Sequence, residues 1–477
     1  MVQKSFFRKV AFGINPNEEV PANPLSWAQG QVHNTPPLTW EGLLPEQKKL
    51  RRNHALRDEK YDKLEKKFKN DNDAFLEAEE NLNFEVGTNY YEALEINIRH
   101  HAAIHSGSPV FERLLWFWAN HFAALETANP WFGFTGEYHR NVLRKNLTGS
   151  FAELVTAATT SRAMIESLDN SDSVGPNSIQ GRKSRKQNKI VSINENHARE
   201  LLELHTVSSK GGYTQQDVIN LSKIMTGWQA HDNEPVKFNQ RIHEPGEHIV
   251  FGKGYKQKGT NSKNKLLDVI PDLCARPSCR EFIATKLCRH FICDEPTKEM
   301  VRPIVEEWEK TDGYLPSVHS ALLEVIYHHN NNYKKFLNPE IWLVQLANMF
   351  DLNYPIEEKL MNHNFSSYPR LQRRIIDILE QIGHNPYRPR QPNGWPDTEL
   401  EWVSPELIAR RFQYPIKLMQ FPLYKRRFPA TDLNTIFHNN YENSEEIISY
   451  ISKNNFDMDE FAGAVKTFAA TGWSMYA

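Results

Sequence analysis

YYEALEINIRHHAAIHS (90–106) and VFERLLWFWANHFAA (110–124) carry apolar side chains at three- and four-residue spacing. That spacing gathers them on one face of an α-helix. The same period returns at 150–160 and 196–207, and near 279–292, 297–310, 316–328, 339–351, 369–382, 404–415 and 457–470. Thr214 followed by Asp217 has the form of a capping box, opening a helix over 215–227. Alternation is scarce: HIVFGKGY (248–255) reads as a short strand or hairpin arm. Strands do not alternate with helices, which argues against a doubly wound sheet, and no fixed-period repeat is visible. The predicted fold is all-α: a large irregular helical bundle with long loops and at most a small β-hairpin, as a single helical domain over 1–477.

Three segments depart from this pattern. Residues 43–82 are densely charged with interleaved signs, and read as a charged helical insertion, a solvated helix or helical hairpin. Residues 171–190 (SDSVGPNSIQGRKSRKQNKI) read as a flexible basic loop, either plain surface or a lid that gathers anions beside a site. Residues 384–398 (HNPYRPRQPNGWPDT) are too rich in proline and glycine for a helix. They carry Tyr387 and Trp395, so an ordered loop packed on the body is expected.

Composition narrows the function classes. The 477 residues are 39% hydrophobic and 11% aromatic, enough for a sizeable core and incompatible with a wholly disordered chain. The 57 basic and 59 acidic residues leave a net charge of -2, with no basic excess to hold a phosphate backbone. Four cysteines exclude a disulfide-built scaffold, and their spacing fits no zinc knuckle. No apolar run approaches the roughly 20 residues of a membrane helix. The first twenty residues lack the apolar stretch of a signal peptide, so the default compartment is cytoplasmic.

The candidate chemistry centres on NENHARELLELHT (194–206). On a regular helix Asn196, Glu200 and Glu203 share a polar stripe, Leu201 and Leu204 an apolar one, and His205 lies away from Glu200. Two carboxylates one turn apart on a leucine-rich helix are costly unless paired, hydrogen-bonded or on a metal. The plainer alternative is a surface face on which Arg199 bridges Glu203. His121, among Trp116, Trp118 and Phe122, is either a satisfied core histidine or a ligand. Asp169-Asn170 reads as a helix end, or as a carboxylate at a site mouth. HEPGEH (243–248) places His243 and His248 around a turn, as a chance polar loop or a metal pair. Gly-x-Ser-x-Gly, GxxxxGK[ST], GxGxxG and HExxH are all absent from the sequence.

RKVAFGINP, RLLWFWANHF (113–122), ESLDNSDSVGPNS (166–178), NENHARELLELHTV (194–207), GGYTQQDVINLSKIMTGW (211–228), FNQRIHEPGEHIVFGKGY (238–255), FIATKLCRHFICDEP (282–296) and GWPDTELEWVSPELIARRF (394–412) together resemble the bacterial domain-of-unknown-function family 1800. The resemblance implies a mostly one-domain helical body and no defined reaction. It also implies export or a periplasmic location, and a neighbouring exported partner of sulfatase-like or phosphatase-like type. Matched to the family's motifs, His121, Asp169, Asn170, Asn194, Glu195, Asn196, Arg199, Glu200, Glu203, His205, Tyr213, Trp228 and His243 stand out. His197 stands where the family commonly has an aromatic or aliphatic residue and is not read as a ligand.

Two functions follow. One is a hydrolytic or metal-assisted enzyme: Glu200 or Glu203 serves as base, His205 and Asp169 assist, and Arg199 orients a carboxylate or an anionic substrate. A divalent metal would sit on His121, Glu200 and His243. The other is a non-catalytic interaction or assembly protein. In it the Asn/Glu/Arg cluster ties loops 169–195 and 229–250 to the core, and aromatics around Trp131, Phe132, Phe134 and Trp395 form the docking surface. Nucleic-acid binding through GRKSRKQNK (181–189) is not expected, since no aromatic residues interleave with the bases.

Overall fold

The computed structural model describes residues 3–86, 88–125, 134–230, 235–258, 262–330, 332–352, 374–420, 433–454 and 460–477. Regular structure in these residues is helical apart from two small two-stranded antiparallel sheets. The helix Pro109–His121 lies at the centre. Trp118 is fully buried and Trp116 nearly so, and even Glu112 and Arg113 are only 1% exposed. A helix buried on nearly every side belongs in a core. Pro339–Met349 is buried along its whole length in the same way, and both pack with the helix Thr88–His105.

The charges of this core are paired. Arg144 donates twice to Glu112, at 2.7 and 2.8 Å, and Arg140 donates to Glu95 at 3.2 Å. Arg99 reaches Glu340 at 2.9 Å, and His100 Nε2 meets the same carboxylate at 3.0 Å. Buried ions are tolerated only with such partners.

The capping box forms as expected: the Thr214 hydroxyl accepts from Asp217 N at 3.2 Å, and the helix runs Gln215–Met225. Asp217 also accepts from Phe251 N at 2.7 Å, so one carboxylate caps a helix and holds a hairpin turn. That hairpin pairs His248–Val250 with Lys253–Tyr255, where the alternating run predicted it. Its two-residue turn sets Phe251 and Gly252 at φ 49° and 79°, the left-handed geometry a tight hairpin requires. A second ladder, Trp228–Gln229 with Lys237–Phe238, goes beyond the sequence expectation. Two residues per strand are too few to leave an alternating pattern.

The charged 43–82 segment folds as the helices Gln47–Lys67 and Asn72–Glu85, with Arg57 reaching Asn83 at 2.6 Å and Glu79 at 3.0 Å. The 171–190 segment differs from a plain loop. Ser178 caps a helix at Ile179–Lys186, which polar composition alone did not reveal. The 384–398 loop is ordered, with Tyr387 buried. Phe134 is 4% exposed and packs on His54, so it cannot belong to a docking surface. Trp131 and Phe132 lie outside the described residues.

Candidate functional site

The helix Asn196–Glu200 continues as a π-helical turn, Leu201–His205, rather than a regular α-helix. The Thr206 hydroxyl donates to the Leu201 carbonyl at 2.6 Å. Such single turns occur often at functional sites. The predicted constellation divides between two faces of this helix, as the 100° spacing implies. Arg199, Glu200 and Glu203 stay on the outer side, partly exposed, while His197, Leu201 and His205 face inward and are buried.

On the outer side Arg199 bridges Glu195 at 3.1 Å and Glu203 at 3.5 Å, and donates to Gln215 at 3.0 Å. The Tyr213 hydroxyl donates to Glu203, and burial with that bond pushes the phenol up to about 12. Burial, then the neighbouring Glu203, raises the Glu200 carboxyl above its ordinary value against the pull of Arg199.

Asp169 sits at φ 56° with an exposed side chain, as a helix end and turn. Its neighbour Asn170 is buried and donates to the Met225 and Trp228 carbonyls at 3.2 and 2.8 Å. Asn177 donates to Glu244 at 2.7 Å, tying the same two loops together. His243 is buried with Nδ1 2.6 Å from the Thr226 carbonyl. Burial and nearby Lys265 bring it down to about 4. Lys265 donates to the Glu244 and Gly246 carbonyls and pins this turn. Among the described residues no three or more His, Cys, Asp or Glu side chains are grouped to hold a metal ion. His121, Glu200 and His243 are therefore not brought together as one ligand set.

On the inner side His205 meets His121, with ring centroids 6.1 Å apart. His121 Nε2 lies 3.2 Å from the His205 carbonyl, which can only accept, so Nε2 carries the proton. Its Nδ1 then accepts from Lys286 Nζ at 3.2 Å. Burial first, then Lys286 and His205, hold His121 well below the usual histidine range. His205 and His197 are each brought down to about 3 by burial.

Lys286 leads to a feature that the sequence did not expose. Beside Leu204 of the π-turn opens a cleft of about 620 Å³, lined by Phe282, Lys286, Arg289, Arg390, Trp395, Asp397 and Trp402 among others. The Trp395 and Trp402 rings stack at 5.7 Å, and His384 meets both edge-on. Asn120 clamps the loop, accepting from Trp395 N at 2.7 Å and donating to Trp395 O at 2.8 Å. Gly394 has φ +77°, and a Cβ there would stand 2.3 Å from the Asn120 carbonyl oxygen.

Beneath the cleft, Arg113 donates to His290 Nε2 at 2.8 Å, so His290 Nδ1 carries the proton it gives Asp397 at 2.7 Å. Burial works to raise Asp397, but His290, Lys286 and Lys335 outweigh it and hold the carboxyl below its usual range. Burial lowers Lys286, despite the opposing pull of Asp397. The cleft therefore offers cations and partly exposed aromatic surface, with the Asp397 carboxylate in its lining.

Sequence reasoning singled out Trp395 but missed Lys286, Arg289 and Asp397. Their segments, FIATKLCRHF and GWPDTELEW, are about 110 residues apart in the chain. The signal within reach was the acid and two tryptophans packed into one proline- and glycine-rich loop.

The family described as "Protein of unknown function (DUF1800)" matches residues 5–471, and the chain belongs to that family. No curated protein and no solved structure matches the chain.

Proposed function

We propose that this member of the DUF1800 family is a ligand-binding protein whose cleft takes an anionic molecule with a flat apolar face, an acidic sugar being the model ligand. One observation carries the reading: Lys286, partly buried at the cleft, is held by His121 while Arg289 and Arg390 line the same space as the stacked tryptophans. A desolvated cation gains more from an anion than an exposed one does. Trp395 and Phe282, both partly exposed in the cleft, supply apolar surface for a ring. The sulfatase-like or phosphatase-like partner implied by the family resemblance belongs to this reading, because an enzyme that cleaves sulfate or phosphate esters handles ligands of the same charge class.

A hydrolytic role for the 194–206 helix is the second reading. Its specific observation is the pair of unlike carboxylates, Glu200 raised by burial and Glu203 bound by Tyr213. Neighbouring carboxyls in unlike surroundings are the starting arrangement for acid–base work. Here Glu200 would be the acid, Glu203 the base and Arg199 the orienting cation; His205, buried on the opposite face, and Asp169, on an exposed turn, fall outside this arrangement.

Isothermal titration with D-glucuronate, glucose 6-sulfate and glucose separates the ligand classes. Saturable binding of the acidic sugars alone is expected. Lys286→Met should weaken it about 10- to 100-fold, the cost of one charge-assisted hydrogen bond. Equal binding of glucose, or no change in Lys286→Met, would overturn the cleft reading. Hydrolysis of 4-nitrophenyl esters and glycosides that disappears in Glu200→Gln would instead favour the second.

A further inference from the structure

Between Ser173 and Asn194 the chain carries Arg182, Lys183, Arg185, Lys186 and Lys189 and not one carboxylate. In a protein of net charge -2 this is a local excess of five positive charges. The fold presents it on a fixed support. Ser178 caps the helix Ile179–Lys186, Gly175 N donates to the Ile242 carbonyl at 2.8 Å, and Gln180 N donates to the Arg241 carbonyl at 2.9 Å. Gly181 and Ser184 are buried beneath the helix. A side chain at Gly181 would meet the Gly175 carbonyl oxygen at 2.2 Å, so the helix lies directly on its base. The chain beyond it is fastened where Val174 N donates to the Ser192 carbonyl at 3.0 Å.

The outer face is ordered as well. Ile179, Arg182, Lys183 and Lys186 are spaced i, i+3, i+4, i+7, the positions of one helical stripe, and all four are exposed. At the two ends of the cationic stretch stand isoleucines in water, Ile179 at 52% and Ile190 at 98% exposure. An isolated exposed isoleucine needs no explanation. Two that bracket five cations make the pattern of a membrane-surface contact, in which charge attracts and apolar side chains enter the headgroup boundary.

We infer that the 179–190 platform binds the surface of an anionic lipid bilayer from outside, without crossing it. No described helix is long and apolar enough to span a membrane. A nucleic acid or acidic polysaccharide would use the cations but gain nothing from the isoleucines. The inference does not depend on the cleft, because it rests on a different segment.

The full chain is tested by co-sedimentation with vesicles of phosphatidylcholine alone and of phosphatidylcholine with 30% phosphatidylserine. Binding is expected only with phosphatidylserine, weakening as salt shortens the ~8 Å screening length. Each cation removed should weaken it about fivefold. Arg182→Glu with Lys186→Glu should then lower binding by more than about 100-fold, with an unchanged circular dichroism spectrum. Ile190→Ser keeps the charge and sits in water, so it leaves folding intact and should reduce vesicle binding several-fold. Failure to bind anionic vesicles at low salt overturns the inference. So does tight binding to heparin or duplex DNA together with vesicle binding that Ile190→Ser leaves unchanged.

Discussion

Two buried polar regions of this protein are built in opposite ways. Around the Thr88–His105 and Pro109–His121 helices, carboxylates and guanidiniums meet as fitted pairs: Glu112 with Arg144, Glu95 with Arg140, Glu340 with Arg99 and His100. Along the inner face of the 196–205 helix, His197 and His205 are buried to 1%, and neither ring nitrogen of either has a hydrogen-bond partner among the described residues. The first arrangement is the stable way to bury charge. The second leaves hydrogen-bonding capacity unused in the interior, which is uncommon for buried polar groups.

The largest effect should come from breaking a pair. Glu112→Ala leaves Arg144 charged and buried, and should cost about 3–5 kcal/mol in urea unfolding. Replacing both with methionine should recover most of that loss, since a fitted apolar pair often does as well as a buried ion pair. A single-variant loss below about 1 kcal/mol would mean that the seam is not structural.

Glu95 gives the same region a pH signature. Burial outweighs Arg140 and lifts its carboxyl from the ordinary 4.5 to about 7. The folded state therefore holds the proton more tightly than the unfolded chain. The stability this contributes is complete below about pH 4.5 and is lost as pH rises through 7, by roughly 3 kcal/mol in all. Glu95→Gln should flatten that slope, so that the variant gains on the natural protein between pH 5 and 8. An unchanged slope would place the shift elsewhere.

His197→Leu probes the other region. Removing two unpartnered polar nitrogens and keeping an apolar side chain should change stability by less than about 1 kcal/mol. A loss of several kcal/mol would show that the histidine is paired after all, and would remove the contrast between the two regions. The smallest effect belongs to Arg199→Ala. Its partners Glu195 and Glu203 are about one-third exposed, and pairs so exposed are worth about 0–1 kcal/mol. A larger loss would promote the outer stripe to a structural element.

Much of this was legible in single residues. The Thr214/Asp217 box announced its helix, HIVFGKGY its hairpin, and HNPYRPRQPNGWPDT an ordered loop. Each is a local device whose hydrogen bonds close within a few residues. The bridge from Arg199 to Glu203 was equally local, at i,i+4. The helix at Ile179–Lys186 escaped because its buried contacts are a glycine and a serine, which leave no apolar stripe. The π-turn escaped because hydrophobic spacing is read at a constant 100° per residue, which does not register a locally wider turn.

The sequence by itself determined the helical class, the family and the residues worth watching, because periodicity, caps and motif order are properties of the chain. Only the tertiary structure decided which of those residues meet. It parted Glu200 from His121 and set His243 against Thr226. It also joined Lys286 to Asp397 and the two tryptophans across about 110 residues of chain. Contacts over such distances are selected by packing of the whole core, and no local pattern encodes them.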